Sequence, residues 1–165
     1  MLKNIVLSLS LVFSLTSFSV SVHAEAQGQF PKGPEEVLTP GDLCDHPDAY
    51  RYPERIAYCE RDVSRDLKSR VFEKYDQLGY RTRSMKRQAF KIDHYIPLCA
   101  GGSNDIENLW PQHQSIYVIT DELEALVCEK MKEGRLKQKD AVDYIIRAKN
   151  HLDEAPAIIR EVESL

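Results

Sequence analysis

The sequence predicts an α+β fold: a short β-hairpin and the helix that follows it, set in a mainly helical, disulfide-stabilised single domain. Three observations carry this prediction. Apolar residues recur at helical spacing in three separate stretches, one central stretch alternates as a strand does, and four cysteines are spread along the chain. At 165 residues the chain suits one domain with its own core better than two.

Residues 1–24 read as a secretory signal peptide. Lys3 precedes an apolar run from Ile5 to Val22, and Val22-His23-Ala24 forms a small-residue cleavage pattern. A membrane anchor is the competing reading, but the run carries seven Ser or Thr residues and no stop-transfer pattern follows it. The protein is therefore expected in the periplasm or outside the cell. Residues 25–41, rich in Gly, Pro and Gln, read as a flexible leader, and 42–165 as the domain. Asp42 to Tyr58 looks irregular because Pro47 and Pro53 exclude long regular elements.

From Glu60 to Leu78, the residues Val63, Leu67, Val71, Tyr75 and Leu78 fall at helical spacing, and Gly79 stands where a helix would end. Ala89 to Leu98 alternates, with Phe90, Ile92 and Ile96 apolar, and predicts a strand. The cluster CAGGSNDIEN has loop chemistry, and Leu109 to Pro111 forms a short returning strand. Ile116, Ile119, Leu123, Leu126, Val127 and Met131 then trace a helix closed by Gly134. A last helix covers roughly Gln138 to Leu152, with Ala141, Val142, Ile145, Ile146 and Leu152 inward. The hairpin and its helix form a motif core at 89–133.

All four cysteines lie beyond the leader, and thiols in an exported chain pair and persist. Chain order and the hairpin-then-helix layout favour Cys44 with Cys59 and Cys99 with Cys128. There is no Cys-x-x-Cys pair, which argues against both a structural zinc site and a disulfide oxidoreductase.

Without residues 1–24 the chain keeps 21 Lys or Arg against 26 Asp or Glu, so it is acidic overall and no obvious ligand for nucleic acid. The charge is uneven, however. Arg51 to Lys91 holds twelve basic against six acidic residues, and Ile92 to Thr120 holds no Lys or Arg. For Arg61 to Lys74 a solvated helix face with paired charges is as good an explanation as ligand binding. The stretch RTRSMKRQ contains no acidic residue, so Arg81, Arg83, Lys86 and Arg87 are the candidates for phosphate contact.

The basic band runs up to KIDHYIPLCAGGSNDIENLWPQH, Lys91 to His113, where the chemistry concentrates. His94 can take a proton from water near neutral pH, and Asp93 can hold part of a divalent cation that neutralises phosphate charge. Neighbours on a flat strand point to opposite faces, so a working Asp93–His94 pair implies a twisted strand end or a bulge. Gly101 and Gly102 permit a tight loop. The Asn108 amide can bridge loop backbone groups and fix the carbonyl that orients the His94 ring. Arg87 is a candidate for steadying the phosphate in the transition state, with plain surface charge as its alternative. Trp110 reads as core beneath the hairpin rather than a base-stacking platform. His46 and His151 are assigned to a loop and a helix end, outside the site.

These residues resemble the HNH nucleases of the ββα-metal, or His-Me finger, superfamily, in particular its exported bacterial members. The resemblance rests on Asp93-His94, Ile96 to Leu98, Gly101 to Asp105 and Asn108 to Gln112, and strongly covers about a quarter of the exported chain. It implies a ββα-metal finger in which His94 is the general base, Asp93 contacts the metal and Asn108 organises the loop. The third family position falls on Tyr117, a poor ligand, so His113 is the nearest substitute. Asp121, or Asp93 with water alone, are the other options. A site with few protein ligands suits Mg²⁺, with Mn²⁺ as an alternative. The function so implied is a secreted or periplasmic, metal-dependent endonuclease that hydrolyses DNA, and also RNA as an open option, with little sequence specificity. A finger that has lost catalysis and serves as a disulfide-stabilised binding module of the cell envelope is the alternative.

Overall fold

In a computed structural model of the protein, residues 29–165 are described; the signal peptide expected at 1–24 lies outside them. The described residues form four α-helices and two antiparallel hairpins, an α+β fold as predicted. Both predicted disulfides are present, Cys44–Cys59 and Cys99–Cys128.

The first hairpin, β1 (Ala49–Arg51) with β2 (Ile56–Tyr58), lies in the segment expected to be irregular. Three-residue strands are too short to show a period of two. Their turn uses Tyr52 and Arg55 at φ of 65° and 59°, left-handed conformations that the sequence does not advertise with glycine. Helix α1 (Arg65–Gln77) starts later than its apolar period, because the Ser64 side chain accepts a hydrogen bond from the Leu67 N–H and caps it there. Residues 60–63 are thus left outside the helix.

The second hairpin pairs β3 (Phe90–His94) with β4 (Leu109–His113) in an unbroken register from Phe90 opposite His113 to His94 opposite Leu109. Helix α2 (Gln114–Lys132) follows at once, its first turn capped by His113 Nδ1, which accepts from the Ser115 N–H. Helix α3 (Gln138–Asn150) and α4 (Ala155–Glu163) complete the fold. The sequence reading did not include α4. It is one short helix with Pro156 in its first turn, where the missing N–H costs nothing, and it buries Ile158 and Val162.

The hairpin has two distinct faces. Phe90, Ile92 and Leu109 pack on Val71 and Phe72 of α1, while the larger core is built from Leu123, Val127, Met131, Ile145, Ile158 and Val162 of α2, α3 and α4. Trp110 is fully buried, as predicted. The Cys99–Cys128 bridge ties the loop after β3 to α2. Residues 29–41, expected to be a flexible leader, instead lie against the domain. The Thr39 hydroxyl donates to the Leu109 carbonyl at 3.2 Å and meets the Tyr75 hydroxyl at 2.9 Å, and Phe30 stacks on His113.

Candidate active site

His94 ends β3 almost fully buried, and both of its ring nitrogens are engaged. Nδ1 lies 3.0 Å from an Arg61 guanidinium nitrogen, and Nε2 lies 3.1 Å from Asn104 Oδ1. A guanidinium only donates, so Nδ1 accepts, and the ring proton sits on Nε2 and is donated to Asn104. Burial pushes the His94 pKa down to about 4; the positive charge of Arg61 acts the same way, against the bond to Asn104. The imidazole is therefore neutral at neutral pH.

Arg61 and Asn104 were not among the predicted site residues. Arg61 is exposed, and its second nitrogen donates to the Ile92 carbonyl at 3.0 Å. It stands two residues after Cys59, whose disulfide fixes that end of the segment. Asn104 holds the segment from the other side: its amide donates to the Glu60 carbonyl at 2.6 Å and its oxygen accepts from the Asp62 N–H at 3.1 Å. The available signal was the Ser64 cap, which takes Arg61 off the helix face and frees it to reach the hairpin.

Asn108 braces the loop as predicted. It is fully buried, accepts from the Ile96 N–H, and donates to the Ile96 and Ser103 carbonyls, each at 2.9 Å. It does not touch the His94 ring, which Arg61 and Asn104 orient instead. Gly102 is obligatory in this loop, since a Cβ there would sit 1.8 Å from the Ile96 carbonyl oxygen.

The register contains no bulge, so Asp93 and His94 point to opposite faces of the hairpin. Asp93 enters the side covered by α2 and α3. Its Oδ2 is 2.9 Å from Lys149 Nζ and its Oδ1 is 3.3 Å from Lys91 Nζ, which also pairs with Asp121. Burial opposes ionisation of Asp93, but the two ammonium groups overcome it and hold the carboxyl below the usual range. His113 lies on the face of His94 but at the far end of the hairpin, opposite Phe90 and stacked on Phe30 with ring centroids 3.9 Å apart. Four residues of strand separate it from the level of His94, roughly 13 Å. Asp93 and His113 thus do not converge, and they do not fit a shared metal ion. Among the described residues no group of three or more His, Cys, Asp or Glu side chains is arranged to hold one.

Of the predicted phosphate contacts, Arg81, Arg83, Lys86 and Arg87 are all exposed. Arg83 has an acidic partner from outside the segment, Asp76 at 3.0 Å. Arg87 is the one tied to the hairpin. It lies over the Phe72 ring and donates to the Phe90 carbonyl at 2.9 Å. Carbonyls two residues apart in a strand point the same way, and β4 covers only one edge of β3. Along the other edge, the Phe90, Ile92 and His94 carbonyls each accept from a cation: Arg87, Arg61 and Lys149. The carbonyls that hold the two exposed guanidiniums are therefore about 7 Å apart along this edge, with Arg61 the nearer to His94. Comparison with protein-family models, with curated proteins and with solved structures gave no match.

Proposed function

We propose that this chain is an exported nuclease that cleaves phosphodiester bonds of DNA or RNA, with His94 as proton acceptor and Arg61 as phosphate clamp. The observation that carries this reading is the contact between a neutral imidazole and an exposed guanidinium at one end of a hairpin. The order β3, β4, α2 is that of a ββα finger, and the two disulfides suit an oxidising compartment.

An incoming phosphate draws Arg61 away from Nδ1 into a bidentate pair, the geometry that guanidinium offers to phosphate oxygens. That frees the Nδ1 lone pair. The departing positive charge and the arriving negative one both raise the basicity of the ring from its low resting value. Nδ1 then takes a proton from water as the water oxygen attacks phosphorus, the bond to the leaving sugar oxygen breaks, and that oxygen takes a proton from solvent. Asn104 holds the Nε2–H and so keeps the free nitrogen turned to the water. Arg87, one step along the strand edge, is placed for a neighbouring phosphate. No step is assigned to Asp93, whose oxygens already face Lys149 and Lys91.

A binding module without catalysis is the second reading. It is favoured by one observation: both His94 nitrogens are satisfied within the chain. Nicking of plasmid DNA and cleavage of single-stranded DNA and RNA, each with Mg²⁺, with Mn²⁺ and with chelator, separates the two. Cleavage that disappears in His94→Ala supports the nuclease; nucleic-acid binding with no turnover under any of these conditions supports the module.

A further inference from the structure

The disagreement between the expected metal ligand Asp93 and its surroundings has a specific cause. Lys149 reaches from the last turn of α3 into the protein with 1% of its surface exposed, and its Nζ meets three oxygens from three different residues. These are Asp93 Oδ2 at 2.9 Å, the His94 carbonyl at 2.6 Å and Glu124 Oε1 at 2.6 Å. Two carboxylates and a carbonyl converging on one point are oxygen donors of the kind a hard divalent cation takes; Ca²⁺ takes about six to eight at about 2.3–2.6 Å, so water would supply the rest. Here the positive centre is an ammonium on the protein's own chain.

We propose that Lys149 is a built-in substitute for a metal ion: it fills a latent cation site formed by Asp93, Glu124 and the His94 carbonyl. The same contact anchors the backbone at the end of β3, so the position of His94 on the opposite face is set from beneath by a lysine. Charged groups facing the cluster from neighbouring elements are Lys91 on β3, 3.3 Å from the outer Asp93 oxygen, and Asp121 on α2, which draws Lys91 outward. The inference concerns binding at Asp93 and does not depend on which substrate His94 faces.

Three consequences separate this account from an ordinary buried ion pair. In the wild-type protein, Ca²⁺ or Mn²⁺ titrated calorimetrically gives the same isotherm as with Asp93→Asn, because Asp93 takes no ion. Lys149→Ala gains one equivalent of Ca²⁺ or Mn²⁺ binding, at least tenfold tighter than any wild-type binding, and the Lys149→Ala/Asp93→Asn double variant loses it. If Lys149→Ala does not fold in chelator, circular dichroism reports recovery of the helices on adding either ion, and no recovery in the double variant. The proposal is overturned if Asp93→Asn removes divalent binding from the wild type, if folded Lys149→Ala gains no site, or if neither ion restores an unfolded Lys149→Ala.

Discussion

Acidification tests the environment of His94 directly. Its folded-state pKa of about 4 lies below the ordinary value of 6.5 that the unfolded chain takes up. Between these values the unfolded chain holds a proton that the folded protein lacks, so stability rises with pH across this window. The contribution is complete above about pH 6.5 and is lost as pH falls towards about 4. A gap of roughly 2.5 units at about 1.4 kcal/mol each sets a ceiling of about 3 to 4 kcal/mol, of which about 2 kcal/mol is lost between pH 7 and about pH 4.5. Urea unfolding of the disulfide-intact protein at a series of pH values, set against His94→Gln, isolates this term. Carboxylates without His94 among their neighbours, such as Asp76, titrate in both proteins and cancel in the difference. The expected result is a wild-type stability that falls by about 2 kcal/mol relative to the variant on acidification. A difference between the two proteins that stays flat with pH refutes a buried, neutral His94 held as described.

Three further outcomes follow from the same geometry. Asn108→Ala strips partners from the Ile96 N–H and from the Ile96 and Ser103 carbonyls, and unfolding experiments should show a loss of about 3 kcal/mol or more. A smaller loss than about 1 kcal/mol means that the loop does not rely on this amide. Replacing Cys44 and Cys59 together by serine opens a closure with a sequence separation of 15, costs about 3 kcal/mol in denaturant, and lowers nucleic-acid cleavage further by releasing the segment that carries Arg61. Arg61→Ala, at an exposed position, should change stability by less than about 1 kcal/mol while reducing cleavage at least tenfold; Arg61→Lys should recover only part of it, because an ammonium cannot pair with phosphate in bidentate fashion.

The hairpin and α2 were legible because their signals are local. Phe90 and Ile92 alternate, Gly101 and Gly102 mark the loop, and the apolar residues of α2 recur at one helical period. Asn108 was legible for the same reason, since its partners at Ile96 and Ser103 lie within a dozen residues. The first hairpin and α4 escaped because three-residue strands and a nine-residue helix are shorter than the windows in which periodicity shows. At the site, adjacency misled. Asp93 and His94 are neighbours in sequence, yet strand alternation sends them to different faces. Their true partners, Arg61 for His94 and Lys149 for Asp93, are 33 and 56 positions away, beyond the reach of a local pattern; the Ser64 cap frees Arg61 from the helix but does not say where it goes.

In the proposed function a neutral His94, uncovered when phosphate engages Arg61, performs the cleavage. The pH dependence of nucleic-acid cleavage by the wild type, His94→Ala and Arg61→Ala, followed side by side, tests that role. Wild-type cleavage should fall on acidification as the ring takes a proton, with no cleavage above background in His94→Ala and a tenfold or greater loss in Arg61→Ala. Undiminished cleavage by His94→Ala contradicts it.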